Sequence, residues 1–500
     1  MEGKQIRGLM IGAFSSGCGK TVAACGLMEV FRRHGLKVSG FKCGPDYIDP
    51  MFHREILGVE SQNLDGFFQT KRQSAKSFLA GAKDRDIGVI EGVMGYFDGI
   101  GGEGRASTYE MALRLGCPVI LVAEGKGAGL SLAASILGFL EFGLTLPGHG
   151  RRKWNGIGGI ILNRVSPGRY PGLKAVLEEH LPVPVLGYMP EFDWLSLESR
   201  HLGLKLPGEV KDLKAQLGRL GEELEKTIQI DEVLALAEKW EEGYPKASLG
   251  SGAGEGVSVL EGVSAWEGVP VLGGVPVLGG VPAPEAAILP KKGQKAAIGV
   301  AMDEAFCFYY QDNLRELCRA GARLLFFSPL KDKAVPKEAR GLLFGGGYPE
   351  LYARQLSENN AMRSSIRQAA AAGMPILGEC GGFLYLQEWL EDGAGKAYPM
   401  AGVFSGGSRN GGKLGRFGYI ALWGKEDGLY LKAGERILAH EFHYWDSECC
   451  GSMMEARKPA GNKRWLCMRQ ENRVLAGFPH LYYPSFPEFS RRFVRECEMG

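Results

Sequence analysis

Residues 13–21, AFSSGCGKT, have the residue types of a phosphate-binding loop. Closely spaced glycines let backbone N–H groups turn toward phosphate oxygens, the lysine adds a mobile positive charge, and the threonine hydroxyl can hold magnesium. An apolar run precedes the segment and a helical pattern begins at Val22, so a helix dipole adds positive potential. Phe14 replaces the usual glycine five residues before Gly19, which makes the loop a shifted variant. The predicted nucleotide-binding residues are Ser16, Gly17, Cys18, Gly19, Lys20 and Thr21.

Acidic residues follow several apolar runs, at the positions where ligands bind in open α/β sheets. Glu91 ends the run at residues 87–90, Asp46 follows an earlier run, and Asp65 stands in the segment Asn-Leu-Asp. A single carboxylate of this kind is more often a surface or capping group, but three together favour a common site. We predict that Thr21, Asp46 and Glu91 hold magnesium, directly or through water.

Cys380 lies in the turn Gly-Glu-Cys-Gly-Gly, between an apolar strand pattern and an apolar helix pattern. Small neighbours permit the strained turn that exposes a nucleophile, and the N-terminus of the following helix favours its thiolate. We therefore predict that Cys380 is a catalytic nucleophile. Upstream, the glycine triplet in LLFGGGYPE could donate N–H groups to an oxyanion, through Gly346 and Gly347. Spacing does not choose the base among His440, His443 and His480.

The elements that must position these residues are short apolar runs alternating with longer amphipathic stretches, which predicts parallel sheets flanked by helices. In the first part the predicted strands are residues 9–11, 38–41, 87–90, 119–123, 157–162 and 183–188. The first helix is predicted over residues 22–34, where basic residues and then a glycine close it, and a polar helical tail covers about 211–242. In the last part the predicted strands are residues 298–302, 324–327, 342–344 and 375–377.

Between these two parts, a six-residue unit repeats five times over residues 255–284. Its prolines remove ladder donors and five units are too few for stacked β-helix turns, so we favour a linker lying against a domain surface. The predicted fold is α/β with two domains. A phosphate-loop domain, with a parallel sheet and helices on both faces, covers 1–245; the linker covers 246–293; and a second α/β domain covers 294–500.

Length and composition narrow the function class. Five hundred residues exceed one hydrophobic core. With 59 basic and 57 acidic residues the net charge is +2, so we expect no nucleic-acid and no membrane partner. Eleven irregularly spaced cysteines suit a reducing cytosol, and no signal peptide or membrane-length apolar run is present. We expect a cytoplasmic protein that acts on small molecules, and the sequence allows a homodimer.

Three segments resemble the cobyrinate a,c-diamide synthase family of corrinoid biosynthesis: KCGPDYIDPMFH (42–53), NLDGF (63–67) and EGVMGYFDG (91–99). The domain that carries them is similar to dethiobiotin synthase, whose loop shows the same shifted glycine pattern. Ala13 stands where family members usually have glycine. The residues that the resemblance places at the substrate are Tyr47, Ile48, Asp65 and Asp98.

The segments GGGYPE and GECGG resemble a class I glutamine amidotransferase domain of the cobyric-acid synthase type. Relatives place the catalytic histidine near the carboxyl terminus in a Tyr-x-His-like motif, which Gly-Phe-Pro-His-Leu-Tyr matches best, so the resemblance selects His480. Tyr482 stands where a second histidine is common. Glu379, next to the nucleophile, is expected to point elsewhere. The segment His-Glu-Phe-His matches a family segment of structural or substrate-related role, which leaves open whether His440 or His443 takes part.

The resemblance implies that ATP phosphorylates the a and c carboxylates of cobyrinate, and that ammonia released from glutamine then displaces phosphate. ATP and Mg²⁺ are the implied cofactors, and corrinoid and glutamine the implied substrates. The catalytic residues on this interpretation are Cys380, His480, Asp46, Glu91 and Asp98. Hydrogenobyrinate and a nickel sirohydrochlorin stay open as substrates because relatives that use them share these motifs. A phosphate-loop switch or partitioning ATPase is the alternative of a different class, and it would lack an amidotransferase half.

Overall fold

The computed structural model describes residues 7–146, 154–195, 212–243, 277–278, 281–282 and 296–499. The chain divides into two compact units, Met1–Gly268 and Val269–Gly500. Each unit is described by itself.

The first unit contains an all-parallel seven-stranded sheet, as the alternating pattern predicts, in the order β3-β2-β4-β1-β5-β6-β7. The strands are β1 (Arg7–Ala13), β2 (Val38–Cys43), β3 (Ser61–Leu64), β4 (Ile87–Glu91), β5 (Val119–Glu124), β6 (Ile157–Asn163) and β7 (Val185–Met189). The helices are α1 (Lys20–Arg33), α2 (Ile48–Glu55), α3 (Lys71–Ala82), α4 (Thr108–Leu115), α5 (Leu130–Thr145), α6 (Tyr170–His180), α7 (Leu213–Thr227) and α8 (Ile230–Gly243).

This sheet gathers the predicted motifs at one edge. The strands β1, β2, β3 and β4 are neighbours, and the phosphate loop and all the predicted acidic segments follow their carboxyl ends. The strands β2 and β4 are buried along their whole length, so their polar residues Ser39, Lys42 and Glu91 also lie inside the fold. Residue order and burial together therefore place the candidate site at the carboxyl edge of the sheet.

The polar tail predicted as one helical stretch forms two helices. Ile228 adopts an extended conformation between α7 and α8 and bridges to Gly187 of β7. After this break, Trp240 of α8 packs against Gly8 of β1 and donates its indole N–H to the Leu115 carbonyl at 2.9 Å. The tail thus belongs to the core of the first unit.

The predicted linker at 246–293 lies outside the described residues, except for one short antiparallel pair, β8 (Val277–Leu278) and β9 (Val281–Pro282). The boundaries that we drew at 245 and 294 stay predictions.

The second unit contains a six-stranded sheet in the order β11-β10-β12-β13-β23-β22, parallel except for the β22–β23 pair. Its strands are β10 (Ala296–Ala301), β11 (Ala322–Phe327), β12 (Gly341–Phe344), β13 (Ile376–Glu379), β22 (Arg469–Glu471) and β23 (Val474–Gly477). The helices are α9 (Gln311–Arg319), α10 (Ala353–Glu358), α11 (Asn360–Ala371), α12 (Gly381–Leu386) and α13 (Pro487–Met499), with 3₁₀ turns at Pro349–Tyr352 and Tyr483–Ser485.

Two further sheets were not anticipated from the sequence. One has the order β15-β14-β16-β19 and the other is the antiparallel β21-β20-β17-β18-β24. Their strands are β14 (Trp389–Glu391), β15 (Ala397–Pro399), β16 (Gly407–Asn410), β17 (Phe417–Gly424), β18 (Arg436–Phe442), β19 (Trp445–Ser447), β20 (Met454–Arg457), β21 (Arg464–Cys467) and β24 (His480–Leu481). Half-buried strands such as β17 alternate between faces and give a weaker apolar signal than the buried parallel strands.

Candidate active sites

The phosphate loop has the geometry that its glycines predict. Gly17 and Gly19 have φ values of +80° and +92°, which favour glycine, and a methyl group on Gly19 would lie 2.7 Å from Asn163 Nδ2. The same amide nitrogen of Asn163 donates to the Cys18 carbonyl at 3.0 Å. Helix α1 begins directly after Gly19 without a side-chain cap, so its first N–H groups are available to an anion.

Lys20 is buried and its ammonium group is held by two carbonyl oxygens. Nζ donates to Met94 O at 2.5 Å and to Ser15 O at 3.2 Å. Burial lowers the pKa of Lys20, and the nearby charge of Lys42 lowers it further. The predicted neighbours Ser16 and Gly17 are exposed at the surface of the loop.

Glu91 is fully buried at the end of β4 and contacts two hydrogen-bond donors and a histidine ring. Its Oε1 accepts hydrogen bonds from the Thr21 hydroxyl at 2.6 Å and from Lys42 Nζ at 3.0 Å, and its Oε2 lies 3.5 Å from His53 Nε2. Burial alone would raise the pKa of Glu91, but Lys42, His53 and Thr21 lower it below its usual value. Glu91 is therefore the ionised acid of this cluster.

Asp46 and Asp49 also carry charge near Lys42. Asp46 Oδ1 accepts from the backbone amides of Ile48 and Asp49 at 2.8 and 3.1 Å, so it caps the start of α2. Asp49 is buried and its Oδ2 lies 2.6 Å from Lys42 Nζ. Burial, together with the charges of Asp46 and Glu91, raises the pKa of Asp49, and Lys42 opposes this shift.

The other predicted substrate residues hold local turns or start a helix. Asp65 is buried and accepts from the Phe67 and Phe68 amides, and exposed Asp98 accepts from the Gly95 amide at 3.1 Å. Tyr47 and Ile48 are buried at the N-terminus of α2, beside the capping carboxylate.

Cys380 forms the sharp turn between β13 and α12. Its φ of +48° and ψ of −103° lie in a region that non-glycine residues seldom adopt, as expected for a nucleophile elbow. The Cys380 amide donates to Gly477 O at 2.8 Å. Burial raises the pKa of the thiol, and the charges of Glu350 and Glu441 raise it further. The Gly381 amide at the N-terminus of α12 lowers the thiol pKa, in the predicted direction, but burial outweighs it and the free protein holds the thiol form.

The glycines around Cys380 let two backbone segments meet. A methyl group on Gly382 would clash with the Phe344 carbonyl oxygen, and one on Gly381 would lie 3.0 Å from the Gly347 amide nitrogen. Gly382 donates its N–H to Gly345 O at 2.9 Å. The predicted oxyanion segment with Gly346 and Gly347 therefore packs against the nucleophile turn.

His480 lies beside the oxyanion segment, because a methyl group on Gly346 would clash with its imidazole ring. Strand β24 pairs with β18, and this pairing sets His480 opposite His440. Burial lowers the pKa of His480 to about 3, with a smaller contribution from His443. His480 is thus a neutral imidazole at pH 7, the form that can accept a proton.

His443 contacts Trp445, Glu441 and Phe478. Its Nδ1 lies 2.6 Å from Trp445 O, its Nε2 lies 3.0 Å from Glu441 Oε1, and its ring stacks on Phe478 with centroids 3.7 Å apart. His440 makes edge-on contacts with two aromatic rings, and burial lowers its pKa to about 3. Of the three histidines, His480 is the one shown against the glycine segment.

Comparison with known proteins matches both units. Residues 9–204 match the CobQ/CobB/MinD/ParA nucleotide binding domain, and residues 297–486 match the CobB/CobQ-like glutamine amidotransferase domain. A cobyrinate a,c-diamide synthase from Salmonella typhimurium is 35% identical over 96% of this chain and 95% of its own length. Synthases of the same name from Caldanaerobacter subterraneus and Listeria innocua are 34% and 36% identical, over 98% and 96% of this chain and 98% and 97% of their own lengths.

The chain belongs to the cobyrinate a,c-diamide synthase family. The family resemblance of the sequence segments is thereby confirmed, as is the two-part α/β fold with a nucleotide-binding and a glutamine amidotransferase domain. None of the helices in the described ranges is long and apolar enough to cross a membrane.

Sequence reasoning did not select three members of the buried charge cluster of this family member: Lys42, Asp49 and His53. All three stand in the segment KCGPDYIDPMFH that carries the resemblance. Lys42 follows apolar residues within a strand that is buried on both faces, and a lysine there requires carboxylate partners. A lysine within a predicted buried strand was therefore the sequence feature that could have indicated this charge cluster.

Proposed function

We propose that the protein is a glutamine-dependent amidoligase that converts the a and c carboxylates of cobyrinate to amides at the expense of ATP. The observation that carries the proposal is that one chain combines a glycine loop leading into an uncapped helix with a cysteine at a left-handed strand-to-helix turn. The first arrangement suits phosphate binding and the second suits acyl transfer. The names of the full-length relatives support cobyrinate as substrate.

In the amidotransferase unit, the Cys380 sulfur attacks the side-chain carbonyl carbon of glutamine while His480 takes the thiol proton. The oxyanion that develops is suited to the N–H groups of Gly346 and Gly347. Collapse returns the proton to the departing nitrogen, which leaves as ammonia, and water then hydrolyses the thioester to glutamate. Because Cys380 is a neutral thiol and His480 a neutral imidazole, the charged pair forms only as substrate reacts.

In the nucleotide-binding unit, a substrate carboxylate oxygen attacks the γ-phosphorus of ATP, and ADP leaves. Ammonia then attacks the acyl phosphate carbon, and inorganic phosphate departs as the amide forms. The loop amides and Lys20 suit the phosphate oxygens, once Lys20 exchanges the Met94 carbonyl for a phosphate. Tyr47, Ile48, Asp65 and Asp98 are proposed to face the corrinoid, and Asp46 to act beside Glu91.

The residues near the phosphate loop can hold magnesium if the ion takes only one or two ligands from the protein. Among the residues that the structure describes, no three His, Cys, Asp or Glu side chains cluster closely enough to hold a metal. Magnesium bound to a nucleotide keeps several waters and phosphate oxygens and needs only one or two protein oxygens. The Thr21 hydroxyl and Glu91, which are 2.6 Å apart, would provide these oxygens, and Asp46 would act through water. Bound magnesium would neutralise charge on the β- and γ-phosphates.

Two further properties belong to this proposal. All eleven cysteines are free thiols, which suits a reducing compartment, and we place the reaction in the cytoplasm. The substrates are small molecules, with no nucleic acid or membrane required, and a homodimer is compatible with the reaction.

The test is mass spectrometry of products after incubation with ATP, magnesium, glutamine and one tetrapyrrole at a time. We expect cobyrinate to gain two amides and to do so only when all components are present. Preference for hydrogenobyrinate or nickel sirohydrochlorin would replace the substrate while keeping the reaction. ATP hydrolysis that depends on neither glutamine nor a tetrapyrrole would instead favour a phosphate-loop switch protein and contradict the proposal.

A further inference from the structure

The carboxyl group of Glu379 contacts the segment that carries the proposed base. Glu379 ends β13, directly before the nucleophile, and is 5% exposed. Its Oε1 accepts a hydrogen bond from the Tyr483 hydroxyl at 2.8 Å, and the Leu481 amide also bonds to the carboxyl. The Glu379 side chain therefore contacts the residues that follow His480.

A second link joins the nucleophile turn to the residues before His480. The Cys380 amide donates to Gly477 O at 2.8 Å, three positions before the histidine. Glu379 forms hydrogen bonds with Leu481 and Tyr483, the first and third residues after His480. Glu379, the last residue of β13, and Cys380, the next residue, therefore fix the chain on both sides of His480.

Other contacts of this segment come from strand β18, which pairs with β24, and from helix α9. Asn313 of α9 donates to Leu481 O at 2.7 Å and accepts from the Tyr483 amide at 2.9 Å. These bonds hold the segment in the fold, but they do not connect it to Cys380. The Glu379 bonds do, since Glu379 and Cys380 are consecutive residues.

We propose that Glu379 is a positioning residue of the glutamine-hydrolysing centre, holding His480 in reach of the Cys380 sulfur through the backbone of Leu481 and the hydroxyl of Tyr483. The inference rests on the proposed function, because it concerns the hydrolysis of glutamine. In a catalytic triad an acid orients the histidine by bonding to its ring. Here a buried carboxyl orients the histidine by bonding to the residues next to it.

The charge state of Glu379 suits this position. Burial raises its pKa to about 8, despite the opposing bonds from Tyr483 and Leu481, so the carboxyl is mostly protonated at pH 7. The titratable groups that face it are Cys380, Tyr483 and Tyr309. A protonated carboxyl holds the segment without adding a negative charge beside the sulfur, where a carboxylate would disfavour the thiolate.

The experiment compares Glu379→Ala, Glu379→Gln and Tyr483→Phe in the full chain, by steady-state glutamine hydrolysis and by ammonia-dependent amidation. We expect Glu379→Ala to lower kcat for glutamine at least tenfold while KM changes less than twofold, because the base is misplaced and the binding site is kept. Glu379→Gln should recover most of the rate, since its amide oxygen can accept from Tyr483. Ammonia-dependent amidation should not change.

Tyr483→Phe is a milder perturbation of the same contact than Glu379→Ala, because it removes one hydroxyl and keeps the ring that stacks on Phe489. Its matched control is Tyr430→Phe, a fully buried tyrosine of the same unit that also packs on Phe489. We expect a three- to tenfold loss of kcat for Tyr483→Phe and none for Tyr430→Phe.

Equal losses in both tyrosine variants, or wild-type kcat in Tyr483→Phe and Glu379→Ala, would overturn the positioning role. If Glu379→Ala does not fold, Tyr483→Phe decides. Wild-type protein without glutamine hydrolysis would instead refute the proposed function, so the two failures are distinguishable.

Discussion

The two candidate centres use opposite electrostatics. Around Glu91, a buried strand end holds an ionised carboxylate together with Lys42, Asp49 and the loop lysine. Around Cys380, the buried thiol and imidazole are both neutral. Burial disfavours the charged form of the side chains in both centres. Around Glu91 opposite charges offset this effect, whereas around Cys380 burial leaves the thiol and the imidazole neutral.

This difference follows the chemistry that each centre suits. Phosphoryl transfer requires fixed positive groups around phosphate oxygens that are charged throughout the reaction. Acyl transfer by a thiol requires a proton that can move to a base and back, which a neutral pair provides. The comparison therefore predicts that substitutions affect the centres separately and that pH acts mainly on the second.

The largest expected effect concerns the buried charge cluster. Lys42→Met leaves Glu91 and Asp49 without their shared cation, and we expect a loss of about 3–5 kcal/mol in unfolding free energy. Lys126→Met, which removes an exposed pair with Glu191, is the control and should cost less than about 1 kcal/mol. Denaturant unfolding measures both. Equal, small losses would show that the cluster is not held by its charges.

Lys20→Ala should break the nucleotide centre alone. We expect amidation to fall about 10²- to 10³-fold with either glutamine or ammonia, the cost typical of losing one preorganised charge-stabilising donor. Glutamine hydrolysis should stay within twofold of wild type in the same preparation. A loss seen only with glutamine would contradict the assignment of Lys20 to the nucleotide.

Gly382→Ala should break the glutamine centre alone. The added methyl group clashes with the Phe344 carbonyl oxygen and moves the turn at Cys380. We therefore expect the free energy of unfolding to fall by about 1–3 kcal/mol and glutamine hydrolysis to be lost. Ammonia-dependent amidation should persist. Gly393→Ala is the matched control, because no atom lies within 4 Å of its added methyl group. Full glutamine hydrolysis in Gly382→Ala would show that close packing at this turn is dispensable.

The smallest expected effect depends on pH. The pKa of His440 falls from 6.5 to about 3 on folding, so the unfolded chain binds more protons below pH 6.5 and stability decreases as pH falls from 6.5 toward 3. The neutral buried histidine lowers the free energy of unfolding by about 2 kcal/mol at pH 5, and His440→Phe removes this loss. Melting temperatures at pH 7 and 5 should therefore differ less in the variant. His180→Phe, at an exposed position, should keep the wild-type difference.

Much of the first unit could be predicted from the sequence, because its signals are local. The strand and helix pattern around the loop requires only neighbouring residues, and the positive φ of Gly17 and Gly19 follows from the motif. Parallel strands that end at one edge then bring the segments with Asp46 and Glu91 to the same edge of the sheet. Ala13 ends β1, fully buried, with its carbonyl accepting from the Tyr96 amide at 2.8 Å, so the strand continues through the substituted position.

The rest depends on contacts between residues far apart in the chain. The bond from Lys42 to Glu91 spans 49 positions, and the bond from Tyr483 to Glu379 spans 104 positions. The antiparallel strands that set His440 opposite His480 give only a weak apolar pattern. The protonated state of Cys380 is a consequence of burial, which local sequence does not report. The roles of the individual site residues stay predictions.

The most direct test of two cooperating centres uses glutamine labelled with ¹⁵N in its side-chain amide. With ATP and cobyrinate, wild-type protein should transfer the label to both product amides. Cys380→Ser should transfer no label, and should still form unlabelled diamide when ammonium is supplied. Labelled product from Cys380→Ser, or failure to use ammonium, would contradict the account.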